Sequence, residues 1–138
     1  MAMLPSRVKH RKQQTRRNDP NHLAQSCNRL AFGDYGIQAL EAGQLTARQI
    51  EAARVAAGHY LGKNGKLWIR VFPHTPVTAH PAESRMGSGK GDVDHWQAWI
   101  DRGTVMFELA GVTEDMAREA MRRQAHKLPL ATRLVKRS

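Results

Sequence analysis

The sequence predicts an α+β sandwich: a mainly antiparallel sheet with two helices packed on it, an extended basic N-terminal arm and a long Gly-rich loop. Three observations lead there. Strand-to-strand connections outnumber strand–helix–strand alternation, which favours antiparallel pairing over a doubly wound parallel sheet. Helical caps stand before two stretches, at Thr46 and Thr113, that are bounded by turn residues. The basic residues are gathered at the two chain ends, leaving a nearly neutral middle to fold.

Taken in order, residues 1–26 read as the arm, with Pro5, Asn18, Pro20, Asn21 and basic residues and little hydrophobic period. Residues 27–138 are expected to form a single α+β domain. From Leu30 to Leu40 strand-like pieces appear, and Gly33, Asp34 and Gly36 among them suggest a bulge or a close backbone approach. Thr46 stands three residues before Gln49, the spacing of a capping box. Ile50, Ala53, Ala57 and Leu61 then form one apolar stripe, which Gly62 and Gly65 end.

Lys66 to Phe72 reads as a strand, with Leu67, Ile69 and Val71 facing one way and Trp68, Arg70 and Phe72 the other. Pro73 and Pro76 are expected to stop it. Residues 79–92 form the long loop. Val93 to Ile100 and Thr104 to Ala110 read as a hairpin about Asp101-Arg102-Gly103. Thr113 caps a second helix running to about Lys127. It has Glu114 and Asp115 in its first turn and Arg122, Arg123 and Lys127 in its last, as the helix dipole favours. Pro129 ends it, and Leu130 to Val135 reads as a final strand.

The 138 residues give room for one domain with a real core. No apolar run approaches the ~18–20 residues that span a bilayer. The single cysteine, Cys27, excludes an intrachain disulfide and a cysteine-rich zinc ribbon. The balance of 22 Lys and Arg against 12 Asp and Glu is a net +10. Residues 1–30 and residues 122–138 each carry +6, and the body between them −2. A solubilising surface would not segregate charge in this way. A polyanion relieves the self-repulsion of such ends, and nucleic acid is the first candidate because Lys and Arg release its condensed counterions. The N-terminus is Arg-rich and free of acids through Asn18, as a transit peptide would be, but Met1, Met3, Leu4 and Val8 make no amphipathic stripe. A mature arm that orders on its partner is expected instead.

Among local motifs, Arg85-Met86-Gly87-Ser88-Gly89-Lys90-Gly91 is the sharpest: alternating glycines let an anion approach the backbone, and Arg85 and Lys90 supply charge. It is not a Walker A loop, and it does not open a helix. A flexible linker is the bland alternative. His74, His80 and His95 lack ligand spacing, so no metal and no cofactor is expected. Trp68, Arg70 and Phe72 could stack on bases, but packing beneath a helix is the favoured reading. No nucleophile stands beside a base, so an enzyme is the weaker class.

Three motifs carry a resemblance: Leu45-Thr46-Ala47-Arg48-Gln49-Ile50-Glu51-Ala52-Ala53-Arg54, Lys66-Leu67-Trp68-Ile69-Arg70-Val71-Phe72-Pro73, and the loop just quoted. In this order and spacing the chain resembles the bacterial large-subunit ribosomal protein sixteen family nearly end to end. The resemblance implies that family's α+β sandwich with an extended arm. It implies binding to large-subunit, 23S-type rRNA, a part in late subunit assembly, and contact with A-site tRNA, with P-site tRNA as a further contact near the peptidyl transferase centre. Neighbouring ribosomal proteins are the other partners, no membrane is involved, and the place is cytoplasmic, in the large subunit.

Under this reading the candidate rRNA contacts are Arg7, Lys9, Arg11, Lys12, Arg16, Arg17, Arg48, Arg70, Arg122, Arg123, Lys136 and Arg137. The tRNA-proximal loop is Arg85, Met86, Gly87, Gly89, Lys90 and Gly91. Arg85 matches an arginine that is hydroxylated in some members. Ser88 departs from the family, which usually has a lysine there, so it is no electrostatic anchor. The rival readings are a free basic nucleic-acid-binding or ribosome-assembly protein, and a small metal-dependent enzyme using the loop histidines.

Overall fold

A computed structural model describes residues 3–17 and 19–138. Met1, Ala2 and Asn18, which belong to the expected arm, lie outside the described residues. Seven strands and two helices follow in the order β1 (Tyr35–Ala39), β2 (Gly43–Thr46), α1 (Ala47–Leu61), β3 (Lys66–Ile69), β4 (Thr75–Ala79), β5 (Asp92–Ile100), β6 (Val105–Ala110), α2 (Glu114–Ala125) and β7 (Thr132–Lys136). The strands pair antiparallel throughout, in two sheets: β3-β6-β1-β7 and β2-β5-β4. The α+β class is as expected; the single sheet becomes two.

Both helices form where their caps and stripes place them. In α1 the Gln49 N–H donates to the Thr46 hydroxyl at 3.2 Å, and the Thr46 N–H donates to the Gln49 side chain at 3.0 Å. That capping box satisfies two otherwise orphaned groups, and such a cap contributes about 1 kcal/mol. Ile50, Ala53, Ala57 and Leu61 are the buried residues of the helix, the stripe read from sequence. In α2 the buried positions are Ala117, Ala120, Met121 and Gln124. The two helices pack together on Ile37, Phe107 and Leu109 of the larger sheet and on Leu45 and Ala98 of the smaller. Burying each large side chain of this core contributes roughly 1.5–3 kcal/mol.

Three expectations need correction. The hairpin across Asp101-Arg102-Gly103 does not form: β5 pairs with β2 and β4, whereas β6 pairs with β1 and β3. The connection bonds to the end of β1 instead, with the Gly103 N–H donating to the Ala39 carbonyl at 2.9 Å and the Ala39 N–H to the Thr104 carbonyl at 2.8 Å. It carries the chain from one sheet to the other. Secondly, Pro76 does not stop a strand but lies within β4. This is tolerated because β4 is an edge strand, where a missing N–H leaves no ladder bond unmade. The long loop therefore spans 80–91, between β4 and β5, and the strand from Lys66 ends at Ile69. Thirdly, Trp68 and Arg70 are not beneath a helix. Leu67 and Ile69 face the core, while Trp68 and Arg70 face the opposite side of the sheet, against Phe32 and Glu108.

That opposite side is covered by the chain leading into β1. Gly33 is buried there, and a Cβ on it would lie 2.5 Å from the Leu109 carbonyl oxygen. Only glycine fits so close an approach. The close approach expected around Gly33 is thus present, and a bulge also occurs between Ile37 and Gln38.

Candidate nucleic-acid interface

Residues 3–17 carry neither helix nor strand, and Arg7, Lys9, Arg11, Lys12, Arg16 and Arg17 are all exposed. The stretch follows the body at defined points. Met3 packs against the core. Arg16 pairs with Asp101 at 2.9 Å, its guanidinium 5.7 Å from the centre of the Trp99 ring. Lys12 donates to the Lys90 carbonyl at 3.2 Å, and Lys90 donates to the Gln13 carbonyl. The structure thereby brings together two candidate sites 78 residues apart in sequence, the arm and the Gly-rich loop. Among the described residues, Arg7, Lys9, Arg11, Lys12 and Arg17 make no ion pair.

In the loop, Gly87, Ser88 and Gly89 take φ of 100°, 66° and 85° in succession, a left-handed run that needs glycine on either side of the serine. This turns Met86 fully outward and leaves Arg85 and Lys90 exposed. His80 approaches the Gly89 carbonyl at 3.0 Å and closes the base of the loop. A cleft of about 430 Å³ opens between His80, Arg85 and Lys90. Gly91 differs from the other loop candidates: it is buried, and a Cβ there would lie 2.6 Å from the Ala79 carbonyl oxygen, so its task is to close the sheet.

The C-terminal basic end is engaged within the chain. Arg122 and Arg123 both pair with Glu119, at 2.7 and 3.0 Å, and Arg123 lies 4.6 Å from the centre of the Tyr60 ring. Hydrogen bonds from Arg122 and then Arg123 hold the Glu119 carboxyl down at about 2. Lys136 pairs with Glu114 at 2.6 Å, and Arg137 donates to the Gly33 carbonyl at 3.1 Å. Exposed pairs of this kind are weak and screened by solvent, so phosphates can replace the carboxylates. Arg48 is exposed at the start of α1, beside a groove of about 980 Å³ that Met3, Leu4, Val55 and Trp96 line.

Arg70 stands apart from the other candidates. It pairs with Glu108, whose side chain is wholly buried. The same carboxylate accepts the N–H groups of Ala31, Phe32 and Gly33 at 3.1, 2.6 and 2.7 Å. Burial pushes the Glu108 carboxyl up, but the three backbone donors and the Arg70 guanidinium outweigh it and hold the group below the ordinary carboxylate range. Arg70 and Glu108 therefore fasten the chain leading into β1 onto the back of the sheet. Glu108 was not among the candidate residues. Its signal was a single acid inside the apolar run Val105–Ala110, where a buried charge must find partners.

Among the described residues no group of three or more His, Cys, Asp or Glu side chains could hold a metal ion, and no helix is long and apolar enough to cross a membrane. His74 and His95 bond instead to the Phe72 carbonyl and to Asp94.

The sequence model of the family described as ribosomal protein L16p/L10e matches residues 5–135. The chain is 56% identical over 135 residues to the large ribosomal subunit protein uL16 of Cutibacterium acnes, covering 98% of this chain and 96% of that one. It is 56% identical over 137 residues to the protein of the same name from Sulfurihydrogenibium, covering 99% and 98%. With the uL16 protein of Heliobacterium modesticaldum it shares 53% over 135 residues, covering 98% and 92%. With matches at this identity spanning almost the whole of each sequence, the chain belongs to the ribosomal protein L16p/L10e family.

Proposed function

We propose that this chain is a structural, non-catalytic constituent of the large ribosomal subunit, bound to 23S-type rRNA and cytoplasmic as part of that particle. The observation that carries the reading is its place in a family whose compared members are large-subunit proteins, in a chain with +6 at each end of a −2 body. Residues 1–26 act as the arm and 27–138 as the body. The exposed arm cations Arg7, Lys9, Arg11, Lys12 and Arg17 are the first phosphate contacts, joined by Arg16 and Arg48. Arg122, Arg123, Lys136 and Arg137 exchange their internal partners for phosphate. Arg70 stays on Glu108 and supports the surface from within.

The loop at 80–91 reaches A-site tRNA, with P-site tRNA as a further contact. What supports this is its exposure, its two cations and its left-handed backbone, which lets RNA come close. Neutralising both cations, Arg85→Ala with Lys90→Ala, in reconstituted subunits tests it. Exposed substitutions usually move stability within about ±0.5 kcal/mol, so folding and incorporation are expected to be normal. A-site tRNA binding is expected to fall, and the salt slope for rRNA to drop by about 1–2 units at most. Normal tRNA binding with normal incorporation would make the loop a passive linker. Failed incorporation would make it an assembly anchor.

A further inference from the structure

The sheet face turned away from the helices carries an aromatic pair, a half-buried Trp68 and an exposed Phe32. Phe32 and Trp68 stack with ring centres 6.0 Å apart and planes 21° from parallel. Lys66 Nζ lies 5.2 Å from the Trp68 ring centre, and the Arg70 guanidinium 5.1 Å from that of Phe32. Phe32 nevertheless leaves 58% of its surface exposed. Its backbone has little freedom to withdraw, because the N–H groups of Ala31, Phe32 and Gly33 are all held by the buried Glu108 carboxylate. A large aromatic ring is thus fixed at the surface, on a segment locked by four charge-assisted hydrogen bonds once Arg70 is included.

We propose that Phe32 and Trp68 form a stacking platform for an unpaired nucleobase of RNA. The proposal rests on the rRNA-binding reading above and adds a base contact to its phosphate contacts. Every base offers a π face, and aromatic side chains accept such faces with little regard to sequence. The charge around the rings fits the backbone attached to a base. Glu108 neutralises Arg70, while Lys66 is exposed and makes no ion pair among the described residues. Arg137, just past β7, comes in from the other side, bonding to the carbonyl of Gly33, the residue next to Phe32. Among the described residues, two cations without an acidic partner therefore lie on either side of the aromatic pair, which suits a base carried on a phosphodiester chain better than an uncharged protein surface.

The test is binding of the full chain to a large-subunit rRNA transcript across a salt series, for the wild type and for Phe32→Ala, Phe32→Leu and Phe32→Tyr. Leucine keeps apolar bulk against Trp68 and preserves the fold, and tyrosine keeps the ring. Alanine and leucine are expected to weaken binding about 5- to 100-fold at every salt concentration, with the log–log salt slope unchanged, and tyrosine to bind as the wild type does. Wild-type affinity in the leucine variant would overturn the platform, because apolar bulk alone would then suffice. A loss that appears only as a changed slope would also overturn it, since that marks a phosphate contact. If the wild type binds and the alanine variant binds equally well, the platform fails and the rRNA reading stands. If the wild type fails to bind, both fall.

Discussion

Replacing Glu108 with alanine is expected to destabilise the protein by about 3–5 kcal/mol, the cost of removing one member of a buried, hydrogen-bonded ion pair. The carboxylate is fully buried, and its loss strands the N–H groups of Ala31, Phe32 and Gly33 together with the Arg70 guanidinium. Glu108→Gln is milder, because one oxygen still accepts while the new amide group faces donors. The effect depends on pH with a definite sign. The folded carboxyl titrates below its unfolded value of about 4.3. The stabilisation is therefore complete above that value and is lost as the pH falls through the lower, folded one. Urea denaturation of wild type and variant, from neutral pH to about pH 3, measures both parts. The gap between them should narrow toward acid. A gap of under about 1 kcal/mol at neutral pH would show that the back of the sheet does not depend on this residue.

Neutralising the arm is the second large change. Replacing Arg7, Lys9, Arg11, Lys12, Arg16 and Arg17 with glutamine removes six charges, of which, among the described residues, only Arg16 is paired with an acid. The substitutions leave Met3, the arm's contact with the core, in place. The log–log salt slope for rRNA binding should fall by up to about 4–5 units, at roughly 0.7–0.9 per phosphate contact, while the urea midpoint stays put. The C-terminal end has equal charge in the sequence, but its Arg122, Arg123 and Lys136 already hold carboxylates, so neutralising these three should change the slope less per charge removed. An equal change per charge at the two ends would show that the internal pairs dissolve completely on RNA.

The helices were legible because their signals are local. Thr46 with Gln49, and Thr113 ahead of Glu114 and Asp115, mark starts that the hydrogen bonds then realise. Sheet membership is decided by distant pairing. Val105 to Leu109 is buried without a break, as befits a central strand covered on both faces, whereas Asp92 to Ile100, central in the three-stranded sheet, is mostly half-exposed. That difference was present in the sequence, but a short turn at Gly103 between two strands reads first as a hairpin. Pro76 hid β4 because nothing local tells an edge strand from a loop. The arm and the loop were each legible as basic or glycine-rich. Their joining through Lys12 and Lys90 was not, nor was the meeting of Phe32 with Trp68, since such contacts depend on the folded path.

The most direct measurement is the amount of this chain retained on large ribosomal subunits after a high-salt wash, compared by quantitative mass spectrometry with the other proteins of the same particles. Retention in stoichiometric amount is the expected result. Recovery of the chain in the ribosome-free fraction, beside washed subunits that lack it, would contradict the structural role and make it a free nucleic-acid-binding protein.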